Sequence, residues 1–222
     1  MPTGDLVLFG LDGVLVDMAA PRERAWAEAL AAAGLPTVTG LGARLEGATD
    51  RSVRASLESA FGRPLPPDFA DAVDDRLIAA GTGELVPVQD VFGALRRLRA
   101  RVGVVSTMSQ RVARAALHQV GMWRHFTSAL FVADQLDRVP PAPDIYQYAA
   151  AQMGVPAARC LVIESTVYGV RGGKAAGMTV FGFAGAARSL ADAQGRKLHA
   201  AGADLVFDRM RELAPLIGAH AA

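Results

Sequence analysis

Short apolar runs recur through the second half of the chain at Val102–Ser106, Ala129–Val132, Leu161–Ile163, Thr179–Phe183 and Leu205–Phe207, with helically spaced stretches between them. Such alternation predicts a parallel, doubly wound sheet covered by helices on both faces. One further run, Leu6–Phe9, stands apart at the start, and the interval from it to about residue 84 carries no strand signal. Helical spacing fills that interval. Arg22–Ala33 carries Trp26 and Leu30 and stops at Gly34-Leu35-Pro36, while Thr49 is placed to cap a helix with Val53, Leu57 and Phe61 on one face before Gly62. A third helix around Pro67–Ala80 repeats the spacing with Phe69, Val73 and Leu77. The pattern predicts an α/β core built from residues 1–16 and 85–222, interrupted after its first strand by an all-helical unit over residues 17–84.

With 222 residues and 51% hydrophobic content the chain can bury one sizeable core and a smaller appended unit. Its 23 basic and 22 acidic residues are interleaved and sum to +1, which gives no electrostatic signature of a nucleic-acid partner. The single cysteine, Cys160, has no internal partner for a disulfide, and no charged segment leads into a long apolar one. A cytoplasmic protein without a membrane span is expected, acting on a small molecule, with a protein partner as the other option. Lysine occurs only at Lys174 and Lys197. His118, His125, His199 and His220 have no metal-ligand spacing.

The chemistry is concentrated where strands end. Leu6-Val7-Leu8-Phe9 breaks at Gly10-Leu11-Asp12-Gly13, so Leu11 and Asp12 are presented at the carboxyl edge of the sheet, where open α/β sheets bind ligands. Val104-Val105-Ser106 ends a strand before Thr107-Met108-Ser109 at the mouth of a helix, and a hydroxyl beside free N–H groups suits an anion. Ser106 and Ser109 also serve simply to turn and cap the chain.

The run Gly10-Leu11-Asp12-Gly13-Val14-Leu15 resembles the first signature of the haloacid dehalogenase (HAD) superfamily, Asp-x-Asp-Gly-(Val/Thr)-Leu. The resemblance continues in family order over the whole chain, through Ser106, Pro141-Ala142-Pro143-Asp144-Ile145-Tyr146 and Glu164-Ser165-Thr166-Val167-Tyr168-Gly169. It implies a Rossmann-like core and makes the helical insertion the cap of the β-phosphoglucomutase-like branch. Cap closure would then hinge near Leu15–Met18 and Gly81–Val86. In the family the first aspartate is the nucleophile that becomes phosphorylated, and the second, matched by Asp12, moves the leaving-group proton. Here Gly10 holds the nucleophile's place. A lysine of the third signature is matched by Pro140, with Arg138 upstream as a substitute cation or a solvated surface group. The acidic pair that holds Mg²⁺ in relatives is matched by Glu164 and Ser165, so Mg²⁺ binding is expected to be weak or absent. In the cap, Arg22 takes the place of a histidine that often faces the site, and the substrate loop is matched by Gly47-Ala48-Thr49-Asp50, with Arg51 one place late; both arginines are read either as lining the site or as solvated surface groups.

Nucleophile, balancing cation and metal ligand act together in phosphoryl transfer. The resemblance therefore implies a HAD-like chain without ordinary phosphatase, mutase, dehalogenase or phosphonatase activity. The expected site comprises Asp12 as acid–base group, Glu164 beside it, and Leu11, Ser106, Thr107, Ser165, Thr166 and Arg22 around a small polar or anionic metabolite, with no cofactor. The alternative is a catalytically inactive regulatory or protein-interaction scaffold, and a residual phosphatase or phosphoglucomutase-like hydrolase is the third reading.

Overall fold

The structure, a computed structural model, describes residues 5–186 and 191–220. Residues 1–4, 187–190 and 221–222, which the sequence assigns to the core, lie outside the described residues. The core strands are β1 (Leu6–Gly10), β4 (Arg101–Ser106), β5 (Leu130–Val132), β6 (Cys160–Glu164), β7 (Thr179–Phe183) and β8 (Leu205–Phe207), all parallel, in the spatial order β5-β4-β1-β6-β7-β8. Each corresponds to a run of apolar residues in the sequence, within a residue or two of its ends. The helices are α1 (Ala19–Ala32), α2 (Leu41–Leu45), α3 (Asp50–Phe61), α4 (Phe69–Glu84), α5 (Val91–Arg97), α6 (Gln110–Gln119), α7 (Trp123–Phe126), α8 (Asp144–Gln152), α9 (Val167–Ala175), α10 (Ala191–Ala200) and, after the last strand, α11 (Leu213–His220).

Alternation along the strands divides the core into two layers of side chains. Val7 and Phe9 of β1 face a cluster with Leu95 of α5, Val112 and Leu117 of α6, Phe126 of α7 and Leu213 of α11. Leu6 and Leu8 face the opposite layer, which holds Ile145 and Ala149 of α8, Val170 of α9 and Leu198 of α10. Helices thus cover both faces, as a fully buried parallel sheet requires.

The helical insertion has its own apolar cluster. Trp26 and Leu30 of α1, Leu45 of α2, Val53 and Leu57 of α3, and Phe69 and Val73 of α4 pack together, with the Trp26 and Phe69 rings 5.5 Å apart. Thr49 caps α3 by accepting the Ser52 N–H at 3.2 Å, and Gly62 ends that helix in the left-handed conformation. Ala25 and Leu77 join the core cluster instead and hold the helices against it.

Two features escape the hydrophobic pattern. The two-residue strands β2 (Val16–Asp17) and β3 (Val86–Pro87) pair antiparallel where the chain leaves and re-enters the core, and α2 is a single short helix. Neither is long enough to establish a period. The β2–β3 pairing ties together the two stretches expected as hinges.

Candidate functional site

Parallel pairing places Gly10 beside Val105 and Phe9 beside Ile163, so β1, β4 and β6 end together and deliver Leu11, Asp12, Ser106, Thr107 and Glu164 to one edge. The loop after β1 is held by its own backbone: Leu15 and Val16 donate to the Leu11 carbonyl, and Gly13 donates to Val16 at 2.8 Å. Gly13 adopts φ +72°, and a Cβ there would lie 2.7 Å from Ser165 Oγ, so both conformation and space require glycine. The Asp12 Oδ1 accepts the Met18 N–H at 2.9 Å, which orients the carboxyl group. Burial raises the Asp12 pKa above the usual carboxylate value, against the opposing charge of Arg22 and the Met18 hydrogen bond.

Glu164 is enclosed between two glycines. A Cβ on Gly169 would meet its carboxyl carbon at 2.2 Å, and one on Gly10 would lie 3.2 Å from its Oε1. The buried Tyr146 hydroxyl donates to Oε1 at 2.9 Å, and the Ser165 N–H donates to Oε2 at 3.2 Å. Burial still raises the Glu164 pKa, with the Tyr146 hydrogen bond and those of Thr166 and Ser165 pulling the other way. The Tyr146 pKa is raised by burial first and by the neighbouring Glu164 charge second. Tyr146 is the residue sequence reasoning passed over: it was quoted within the Pro141–Tyr146 motif without a role, although a buried tyrosine hydroxyl ordinarily demands a partner.

On the opposite wall the buried Ser106 hydroxyl accepts the Met108 N–H at 3.1 Å, and Ser109 caps α6 by accepting from Val112. Ser109 also donates to Asp74 of α4 at 2.6 Å, a direct link between the helical insertion and the core. Gly10, Leu11, Asp12, Arg22, Ser106, Thr107, Pro140, Glu164 and Thr166 all line one chamber of about 50 Å³, room for a group of a few heavy atoms. The expected site residues are therefore brought together, with one exception. Ser165 turns away from this chamber, donates to the Asp12 carbonyl at 3.0 Å, and has its own carbonyl held by Gln194 at 2.7 Å.

The three arginines singled out in the sequence differ in placement. Arg22 is buried, and its guanidinium donates to the Leu45 carbonyl at 2.7 Å, the Ala48 carbonyl at 3.0 Å and Asp50 at 2.8 Å. It thus braces the α2–α3 loop as well as lining the chamber. Arg138 is a surface residue paired with Asp144 at 3.0 Å and lies outside the chamber lining. Arg51 reaches the Asp134 carbonyl at 3.3 Å across the boundary between insertion and core.

The donor set fits Mg²⁺ poorly. Magnesium takes hard oxygens in near-octahedral order, commonly with one or two carboxylates. Here the carbonyl of Asp12 accepts the Ser165 hydroxyl, its Oδ1 accepts Met18, and both oxygens of Glu164 accept protein donors. Among the described residues no group of three or more His, Cys, Asp or Glu side chains is arranged to hold a metal ion. No described helix is long and apolar enough to cross a membrane.

Comparison with known proteins places this geometry. The chain is 27% identical over 177 residues to the fructose-1-phosphate phosphatase YqaB of Escherichia coli, covering 78% of this chain and 92% of that protein. A conserved haloacid dehalogenase-like protein of unknown function from Agrobacterium tumefaciens superposes with a TM-score of 0.77 at 33% identity, over 99% of this chain and all of that one. A HAD family hydrolase from Deinococcus radiodurans, solved with bound phosphate and sodium, superposes with a TM-score of 0.71 at 31% identity, over 100% of this chain and 98% of that one. The model of the haloacid dehalogenase-like hydrolases matches residues 5–177, and the chain belongs to that family.

Proposed function

We propose that the cleft between the core and a cap formed by residues 17–84 binds, and with Asp12 as acid–base group transforms, a small polar or anionic metabolite without a phosphoaspartyl intermediate and without Mg²⁺. The observation that carries this reading is Gly10. It ends β1 where the family resemblance places the nucleophilic carboxylate, and it has no side chain to attack phosphorus. Relatives that act on phosphorylated sugars support an anionic ligand, as does the phosphate bound by the Deinococcus radiodurans protein.

The residues divide the work as follows. Ser106 and Thr107 offer neutral donors to an anion, and the absence of a carboxylate at positions 10 and 165 removes charge that would repel it. Asp12, held by Met18 and raised in pKa by burial, keeps its proton to higher pH than an exposed aspartate and is suited to donate it to a bound ligand. Glu164 is held by Tyr146 beside Gly10 and supplies a second protonatable group to the same chamber. Leu11 and Thr166 close its walls, and Arg22 adds positive charge from the cap.

The test pairs turnover with binding. Over a panel of phosphomonoesters with Mg²⁺ present, phosphate release is expected to stay below about 1 s⁻¹, the low end of ordinary enzymes. Inorganic phosphate titrated calorimetrically is expected to bind saturably, and weaker in Ser106→Ala. Rapid hydrolysis of any panel member would overturn the proposal.

A further inference from the structure

The helical insertion meets the core where α4 packs on α6, and a carboxyl group is buried in that contact. Asp74 of α4 is 7% exposed and accepts, at 2.6 Å, the hydroxyl of Ser109, the core residue that caps α6. Two more bonds cross the boundary at its exposed rim. Gln119 of α6 donates to the Ile78 carbonyl at 2.9 Å, and Arg51 of α3 donates to the Asp134 carbonyl at 3.3 Å. Arg22 and Gly47 of the insertion line the Ser106 chamber, so any separation of the insertion from the core opens that chamber. The paired strands β2 and β3, two residues each, mark where the chain crosses between the two parts.

The charges around Asp74 are already committed elsewhere. On α4 itself Asp71 and Asp75 hold Arg111 of α6 in exposed pairs. From α1, Arg24 is paired with Glu84 at the end of α4, and Arg22 with Asp50 at the start of α3. Asp50, and Asp134 in the turn Ala133–Gln135 after β5, add negative charge near Asp74, while Arg51 lies against Asp134. Among the described residues Asp74 has no ion-pair partner within 4.0 Å. A neutral Asp74 keeps the Ser109 bond through its carbonyl oxygen and buries no charge. An ionised one is a buried charge without a counter-ion, which only separation of α4 from α6 returns to water.

We propose that Asp74 is a pH-operated latch for the insertion: neutral, it holds α4 on α6 and keeps the chamber closed, and ionised, it lets the insertion swing away on the β2–β3 pair. The latch rests on reading residues 17–84 as a cap and is independent of the chemistry assigned to Asp12. Burial first, and then the charges of Asp50 and Asp134, raise the Asp74 pKa to about 6, with the Ser109 hydrogen bond and Arg111 opposing. The closed state therefore binds the proton more tightly than an open state in which Asp74 returns towards 3.8, and the open fraction grows as pH rises. Those two values predict an open-to-closed ratio about tenfold higher at pH 8 than at pH 5.

Thiol alkylation of the full chain tests this without any ligand, and so separately from the phosphate titration that tests the chamber. Ala25→Cys places a reporter on α1 at a position 2% exposed and packed in the core cluster, while the natural Cys160 of β6, 0% exposed, reports global unfolding in the same molecule. Slow alkylation resolved by mass spectrometry gives both rates. Comparing Ala25→Cys with A25C/D74N at each pH cancels the reactivity of the thiol, because the amide of D74N still accepts from Ser109 and does not ionise. The rate ratio is expected to rise about tenfold from pH 5 to pH 8, with the reporter faster than Cys160 throughout. A fast reporter with a ratio independent of pH would overturn the latch and leave the cap. A reporter that reacts only in step with Cys160 would overturn both. Leu77→Cys, at a position 3% exposed on α4, is the second reporter should Ala25→Cys fail to fold, with the same ratio expected.

Discussion

Restoring a carboxylate at position 10 probes the site most directly, because the structure sets what it would meet. A Cβ on Gly10 would lie 3.2 Å from Glu164 Oε1 and 3.2 Å from Val14 Cγ2. Gly10→Ala measures that crowding by itself. The entropic gain from removing a glycine offsets part of it, so a net change within about 1 kcal/mol is expected. Gly10→Asp adds a charge roughly 4 Å from the Glu164 carboxyl group. At an effective dielectric near 20, two such charges repel by about 4 kcal/mol, a ceiling, since either group can take up a proton instead. Gly10→Asp is therefore expected to be about 2–4 kcal/mol less stable than Gly10→Ala at pH 8. The sign with pH follows from the direction of the shift. Burial already raises the folded-state pKa of Glu164, and a neighbouring carboxylate raises it further, so the penalty grows as pH rises through that value and fades below the unfolded-state value.

Urea denaturation of Gly10→Ala, Gly10→Asp, Glu164→Gln and the double variant G10D/E164Q at pH 5 and pH 8 reads this as a coupling energy. Equal stability of Gly10→Asp and Gly10→Ala at pH 8 would refute the charge-pair account. The same variants carry the functional question. Gly10→Asp alone is expected to release phosphate slowly, since its carboxylate has neither Mg²⁺ nor a lysine to balance an anionic phosphoryl group. The triple variant G10D/P140K/S165D is expected to do better. A competent phosphatase from the single change would show that the groups at positions 10, 140 and 165 do not act as a unit.

Asp12→Asn is expected to abolish turnover of any substrate the cleft transforms while phosphate affinity stays within about threefold, because an acid–base group acts more in the transition state than in binding; a parallel loss of both would assign Asp12 to binding. Thermal melts are expected to respond little to millimolar Mg²⁺, and a saturable rise at micromolar metal would reveal replacement ligands. Asp74, 7% exposed and packed against Ser109, has its pKa pushed up to about 6 by burial, with the Ser109 hydrogen bond opposing and the charges of Asp50, Arg111 and Asp134 around it. Its contribution favours the folded state below the unfolded value of 3.8 and is lost as pH rises through 6, so Asp74→Asn should flatten the fall in stability between pH 4 and 7 and gain no more than about 3 kcal/mol at pH 8. An unchanged pH slope in urea unfolding of Asp74→Asn would contradict this.

The fold was legible where burial is periodic. Every core strand announced itself as a run of Val, Leu, Ile or Phe because a sheet buried on both faces has no polar side to interrupt the run. The Thr49 cap and the Gly62 stop were legible because each performs a local backbone task that few residues can do. The β2–β3 pair was not, since two residues carry no period and their partners are far apart in sequence. In the site, positions at strand ends were found because topology alone delivers them to one edge. Tyr146 and Gly169 were missed as site residues because their role is to meet Glu164, a contact fixed by the packing of α8 and α9 against each other and against the sheet. Arg22 was expected to face a ligand, yet most of its donors serve the α2–α3 loop, which no single-residue pattern could disclose.

Gly10 and Ser165 bear on one loop from its two sides, and their effects are coupled through it. The Asp12 carbonyl accepts the Ser165 hydroxyl at 3.0 Å. A neutral hydrogen bond thereby helps to fix this loop. The gap beside Gly10 lets the Glu164 carboxyl group sit against β1 and take the Tyr146 hydroxyl, so the remaining acid is held by a neutral donor as well. An additional carboxylate directed into this chamber from position 10 or 165 would face only Arg22 among the cations that line it, and Arg22 is already paired with Asp50. Asp12 is the consequence that matters for chemistry. Its carboxyl group is oriented by the Met18 N–H and its backbone by Ser165, both within the protein, so its geometry is set before any ligand arrives. In the function proposed above, a group oriented in this way and raised in pKa by burial is the one expected to exchange a proton with a ligand in the chamber it shares with Ser106 and Glu164.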